Sequence, residues 1–292
     1  MQRLLIIGCG DIARRALPWL VKHYRVYAAV RSTARVGELR ALGVTPLLAD
    51  LDRPRSLGRL AGIGNLVLHF APPPGKGERD GRTRSLLGAL ARAKILPQRV
   101  VYISTSGVYG DCGGERVAEE RPLRPQTPRA RRRADAEARL RRFGQRARVS
   151  VAILRAPGIY AADRLPLSRL RQALPLLDER EDIYTNHIHA DDLAAIACRA
   201  LARARPGRAY NASDDSALKM GEYFDLVADR FGLPRAPRLA RAELERRLSP
   251  AMLSFMGESR LLANRRIKHE LGVRLNNPDV AASLAGTNEE IA

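Results

Sequence analysis

Short apolar runs recur at regular intervals through the first half of the chain. Leu4–Ile7, Val26–Val30, Val44–Leu48, Leu66–Phe70, Val100–Ile103 and Val149–Leu154 hold few polar positions. That pattern predicts strands buried on both faces, since a half-exposed strand would alternate apolar with polar. Between them, helical spacing predicts helices near 12–22, 33–42, 55–61, 80–94 and 129–143. Strands alternating with helices imply right-handed crossovers, and hence an α/β fold with a parallel, doubly wound sheet. After residue 155 the alternation loosens around Pro157, Pro166 and Pro175. There follow "NHIHADDLAAIACRALAR", a strand-like "RAYNAS" at 208–213 and a helical stretch near 219–231. The expected organisation is a sheet domain over 1–165, with 186–205 packing back on it, and a smaller cap region over 166–292.

Composition changes this picture little. The chain has 292 residues, 45% of them hydrophobic, enough for a large core. No apolar run approaches the roughly 20 residues needed to span a bilayer, and a cytoplasmic location is expected. Cys9, Cys112 and Cys198 are scattered, with no metal-ligand spacing, so neither a disulfide framework nor a metal site is expected. The net charge of +20 points towards polyanions at first sight. Yet 46 of the 51 basic residues are arginine, and aromatics make up only 5%. We therefore attribute the charge to a bias in residue usage rather than to a nucleic-acid footprint, whose bases would need rings to stack on. The densest basic patch, Arg121 to Arg148, is where a nucleic-acid partner would be tested.

The first strand runs directly into Gly8-Cys9-Gly10-Asp11-Ile12-Ala13, a G-x-G-x-x-A turn that opens the first predicted helix. In that context Gly8 allows the tight turn and Gly10 the close approach of a pyrophosphate. Ala13 permits close packing, and the helix N-terminus at Asp11 and Ile12 receives the negative charge. The expectation is a Rossmann-type dinucleotide site. At the end of the second strand, where NAD sites place an acid on the ribose, stand Arg31 and Ser32, with Thr33 and Arg35 after them. A guanidinium beside hydroxyls suits a 2′-phosphate, so NADP is the expected cofactor and NAD the alternative.

Further motifs resemble those of the short-chain dehydrogenase/reductase superfamily, in particular its extended and atypical members, the NAD-dependent epimerases/dehydratases. They are "LLADLDRP" (47–54), "HFAPPP" (69–74), "YISTSGVYGD" (102–111), "LRAPGIYAADR" (154–164), "NHIHADDLAAI" (186–196), "YNASDD" and "NRRIKHELG". The resemblance implies an adenine-side pair at Asp50 and Leu51, a cofactor contact at Ala71 and a reacting-end hydroxyl at Thr105, with Ser106 and Tyr109 beside it. It also implies a Tyr-x-x-x-Lys pair on the helix that follows, but Arg129 and Arg133 occupy those places. Arg133 can replace the lysine as a fixed charge on the ribose. Arg129 cannot replace a phenol, because guanidinium does not give up its proton in proteins. Tyr109, Tyr160, Tyr184, His187 and His189 remain as acid/base candidates. Three functions follow: an NADP-dependent oxidoreductase or epimerase/dehydratase-like enzyme acting on a nucleotide-sugar or other small polar substrate, a catalytically inactive NADP-dependent sensor or partner-binding protein, and a nucleic-acid-associated protein. A homodimer is also open.

Overall fold

The structure, a computed structural model, describes residues 1–286. Seven parallel strands form the central sheet: β1 (Arg3–Ile7), β2 (Arg25–Val30), β3 (Thr45–Leu48), β4 (Leu66–His69), β5 (Arg99–Thr105), β6 (Ser150–Ala156) and β7 (Ala209–Asn211). Their order across the sheet is β7-β6-β5-β4-β1-β2-β3. The order reverses between β1 and β4, and in open α/β sheets ligands collect in the crevice that such a reversal leaves.

Each strand divides its side chains between two layers. On β1, Leu4 and Ile6 enter one core with helix α1 (Asp11–His23) and helix α6 (Ala190–Arg203). Leu5 and Ile7 enter the other, with α3 (Gly81–Ala91) and α4 (Pro128–Ala147). Burial on both faces is why the inner strands stand in the sequence as unbroken apolar runs, whereas the edge strand β3, expected to be buried as well, leaves Thr45 and Leu48 exposed because no strand pairs beyond it. Two expected helices take tighter forms. Residues Pro54–Leu60 wind as a 3-10 helix, and Thr33–Arg35 forms a 3-10 turn ahead of the short helix α2 (Val36–Ala41). Gly58 weakens an α-helix in the first of these segments.

Segment 186–205 contributes α6, which packs along α1 beside the sheet. The chain returns to the sheet twice more, through β7 and through Ile267, Leu271 and Val273, which enter the α1 core. A separate apolar core forms from the segments before, between and after these returns, around α5 (Leu167–Arg171) and α7 (Met220–Arg230). It holds Tyr160, Leu176, Phe224 and Val280 and lies over the strand ends. All three cysteines are buried and free, and no helix among the described residues is long and apolar enough to cross a membrane.

Candidate active site

A cavity of about 360 Å³ opens at the C-terminal ends of β1, β2 and β4. Its floor is the glycine turn. Gly8 has φ +89°, and a Cβ there would lie 2.5 Å from the Ala71 backbone nitrogen, so β1 and the segment after β4 approach as only glycine allows. Around Gly10 a Cβ would meet nothing within 4 Å, which leaves open space in front of the backbone where α1 begins. That cradle fits a dinucleotide pyrophosphate.

Arg31, Ser32, Asp50, Leu51 and Ala71 all line this cavity. Arg31 and Ser32 are exposed at the end of β2. Arg35 enters more deeply: its Nη1 donates to the Cys9 carbonyl oxygen at 3.1 Å and its Nε to Glu38 Oε2 at 3.3 Å. Its Nη2 is buried without a partner among the described residues, on a side chain that lines the cavity. Opposite, Arg82 forks onto the Asp52 carboxylate, and Asp50 holds its own turn by accepting the Asp52 N–H at 3.0 Å.

Three other expected cofactor residues are placed differently. Asp11 and Ile12 lie outside the cavity lining. The Asp11 carboxylate accepts Arg15 Nε and Arg164 Nη1, both at 2.9 Å, in a network that also ties Arg15 to Asp163 and Asp191. The first turn of α1 can therefore offer a phosphate its backbone, while the Asp11 side chain fastens α1 to later parts of the chain. Arg133 lines neither of the two cavities described here; its Nη1 donates to the Ile103 carbonyl at 2.7 Å and the Tyr102 hydroxyl at 3.0 Å.

A second cavity, about 610 Å³, lies between the end of β5 and the α5–α7 core. Thr105, Ser106 and Arg129 line its sheet side; Tyr160, Arg169, Tyr184, His187 and Tyr223 are on its other walls. Thr105 Oγ1 accepts the Gly107 N–H at 3.3 Å, which orients the hydroxyl and leaves its proton to donate. Arg129 stacks on Phe255, 4.3 Å from the ring centroid, and faces Glu258. His187 reaches the cavity because strand residues His187–His189 pair with Gly158–Tyr160. It stacks on Tyr223 at 4.2 Å, its Nδ1 is buried without a partner among the described residues, and burial pushes its pKa down to about 4. Beneath this wall, burial raises the Tyr160 phenol and pushes the Asp214 carboxyl up to about 7.

Tyr109 is not part of this cavity lining. Its hydroxyl donates to Asn211 Oδ1 at 2.7 Å and accepts Arg155 Nη1 at 2.8 Å, inside a buried network that continues through the Arg155–Glu137 ion pair to Ser104. His189 turns its Nδ1 to the Asp191 N–H and caps α6. Sequence reasoning missed Arg82, Arg169, Tyr223, Glu258 and Arg260; arginines carry little local signal in so arginine-rich a chain. In the basic patch, Arg121, Arg131 and Arg139 pair with Glu115, Glu78 and Asp135, so part of its charge is compensated within the fold.

The model of the NAD dependent epimerase/dehydratase family matches residues 20–213. Among solved structures, a conserved protein of unknown function from Silicibacter pomeroyi is 28% identical, with 98% of this chain and 97% of that chain covered and a TM-score of 0.77. UDP-glucuronic acid 4-epimerase from Bacillus cereus, solved with NAD, is 17% identical, with 99% and 98% covered and a TM-score of 0.76. Human dTDP-D-glucose 4,6-dehydratase is 24% identical over 137 residues, 44% of this chain and 39% of the human protein. The match thus spans well under half of that relative's length.

Proposed function

Since the chain belongs to the NAD dependent epimerase/dehydratase family, we propose that it is an NADP-dependent oxidoreductase or epimerase/dehydratase acting on a nucleotide-sugar or another small polar substrate. The observation that carries this reading is the smaller cavity, with a glycine floor open at Gly10 and a wall where Arg31 and the unpartnered Nη2 of Arg35 stand together. In this reading Gly8, Gly10 and the backbone at Asp11 and Ile12 hold the pyrophosphate. Asp50, Leu51 and Ala71 hold the adenosine side, and Arg31, Ser32 and Arg35 hold the 2′-phosphate. Arg133 fixes positive charge behind β5, through the Ile103 carbonyl, rather than bonding a ribose directly.

The bound nicotinamide would supply the hydride acceptor and donor. The protein's own contribution lies in the larger cavity. Thr105, and Ser106 beside it, donate to a substrate oxygen. Arg129, permanently charged, steadies negative charge there but moves no proton. We assign proton transfer to His187, the imidazole on this wall; burial keeps it neutral at pH 7 but also weakens it as a base. Tyr109 braces the end of β5 through Arg155.

The test combines cofactor titration with turnover. NADP and NAD are titrated into the wild-type protein and into Arg31→Ala and Arg35→Ala, and UDP- and dTDP-sugars are then followed by nicotinamide absorbance and product chromatography. We expect tighter binding of NADP, a preference that both substitutions erode, and turnover that His187→Gln abolishes without weakening the cofactor. Unchanged NADP-to-NAD ratios in both arginine variants would remove the 2′-phosphate assignment. Cofactor binding with no product from any sugar nucleotide would favour the NADP sensor, the reading that Arg129 at the phenol position supports.

A further inference from the structure

Helices α3 and α4 pack side by side against one face of the sheet, and a groove of about 380 Å³ runs between them. None of its lining residues lines either cavity described above. Leu87 and Phe143, both anchored in the core beneath, form an apolar floor with Leu96, and Ile95 beside it is exposed. The rim is basic. Arg139 donates its Nε to Asp135 at 2.7 Å. Arg84, Arg142 and Arg146 are exposed and have no ion pair or side-chain hydrogen bond among the described residues. On α4, positions 139, 142 and 146 fall on one stripe, three and four residues apart. No acid on these helices is spare. Residues 81–98 contain none, Asp135 is engaged by Arg139 and the Asp80 N–H, and Glu137 is buried against Arg155. Gly88 lies inside α3 and lines the groove, yet a Cβ there would meet nothing within 4 Å. Glycine inside a helix weakens it, and nothing in the chain's own packing calls for one here.

A bare stretch of helix backbone, an apolar floor and a rim of unanswered arginines together describe the complement of the missing partner. We infer that this groove docks an acidic amphipathic helix of another protein. Its apolar side chains enter over Leu87, Leu96 and Phe143, its backbone passes close to Gly88, and its carboxylates meet Arg84, Arg142 and Arg146. The same surface disfavours two other occupants. A second copy of this chain, meeting the groove about a twofold axis, would lay the arginine stripe on an identical one with no carboxylate to answer it. Nucleic acid would answer the arginines but bring a polar backbone onto the apolar floor. Nor does the groove offer a ring for a base, since Phe143 is only 9% exposed and is held in the core.

The inference goes beyond the proposed function and does not depend on it. It is tested by fluorescence anisotropy with a labelled synthetic peptide of about 15 residues, long enough to form a helix. The peptide carries leucine at i, i+4 and i+7 and glutamate at the flanking positions; in a control peptide glutamine replaces glutamate. The wild-type protein should bind the glutamate peptide more tightly, and added salt should narrow the gap. The double variant Arg142→Ala with Arg146→Ala should weaken the glutamate peptide about two- to thirtyfold, the loss of two exposed ion pairs. Gly88→Gln should fill the groove and abolish peptide binding while melting at the wild-type temperature or higher, a result that a structural need for the glycine would not give. NADP titration should be unchanged in both variants. Equal binding of the two peptides, no binding of the glutamate peptide, or undiminished binding to Gly88→Gln overturns the inference. So does a short DNA duplex that displaces the labelled peptide more effectively than unlabelled peptide does, which would make the face a nucleic-acid surface. A wild-type dimer in sedimentation equilibrium that Gly88→Gln dissociates also overturns it, because the occupant would be a second copy. Failure of the wild-type protein to bind NADP overturns the proposed function and leaves this groove untouched.

Discussion

Gly8 and Gly10 are two residues apart in one turn, yet their side-chain hydrogens meet opposite surroundings, and substitution by alanine should separate folding from binding. At Gly8 the added methyl lands 2.5 Å from the Ala71 nitrogen and 2.6 Å from its Cα, with φ at +89°. Left-handed backbone costs a non-glycine residue about 1–2 kcal/mol, and forcing a methyl into packed backbone costs about 1–3 kcal/mol more. Gly8→Ala should therefore lose about 2–5 kcal/mol, a fall in Tm of roughly 5–15 °C for a chain of this size. At Gly10 the backbone is at φ −89°, ψ −156°, and nothing lies within 4 Å. Gly10→Ala should keep its stability to within about 0.5 kcal/mol. Its methyl instead occupies the space a pyrophosphate needs, at about 1–3 kcal/mol, or about 5- to 150-fold in Kd. Thermal denaturation without cofactor reads the first effect, and titration with NADP reads the second. If Gly10→Ala melts as early as Gly8→Ala, or binds NADP as tightly as wild type, the assignment of the open space to a pyrophosphate is wrong.

Two further outcomes follow from buried charge. Glu137 and Arg155 form a buried pair, Oε2 to Nη2 at 2.8 Å; losing one partner should cost about 3–5 kcal/mol. In urea denaturation the double variant Glu137→Leu with Arg155→Met should lose less than either single, and a double loss equal to the sum would refute the coupling. Asp214 is pushed by burial up to about 7 from 3.8, so the folded chain holds that proton more tightly than the unfolded one. Its contribution is fully present below about pH 4 and is lost as pH rises through about 7. Asp214→Asn, which keeps a neutral group there, should gain stability relative to wild type as pH rises across that window. His187, pushed down to about 4 from 6.5, slopes the other way between those values, so the variant must be compared with wild type at each pH. A constant difference from pH 4 to 8 would show that Asp214 titrates normally.

What could be read from the chain depended on how far the responsible interactions reach along it. The parallel sheet was legible because its inner strands are apolar through their whole thickness, and the glycine turn because it constrains adjacent backbone. The 3-10 form of Pro54–Leu60 was less legible, since an apolar pattern does not by itself distinguish that winding from an α-helix. Tyr109 is the instructive case in the site. Its motif is local, but its hydroxyl is engaged by Arg155, 46 residues away, and by Asn211, 102 residues away. No local pattern carries that.

The arginines carry the same point further. Arg155 and Arg169 both lie after β5, both approach an aromatic ring, and in sequence neither differs from 44 others. In the fold, the first meets the Glu137 carboxylate, which drives its pKa upward and makes it scaffold. The second meets no acid, and its pKa moves down. In an arginine-rich protein, then, positive charge does not mark a binding site; the absence of an acceptor does. By that criterion Arg35, with its unpartnered Nη2, stands out among the arginines that line the smaller cavity.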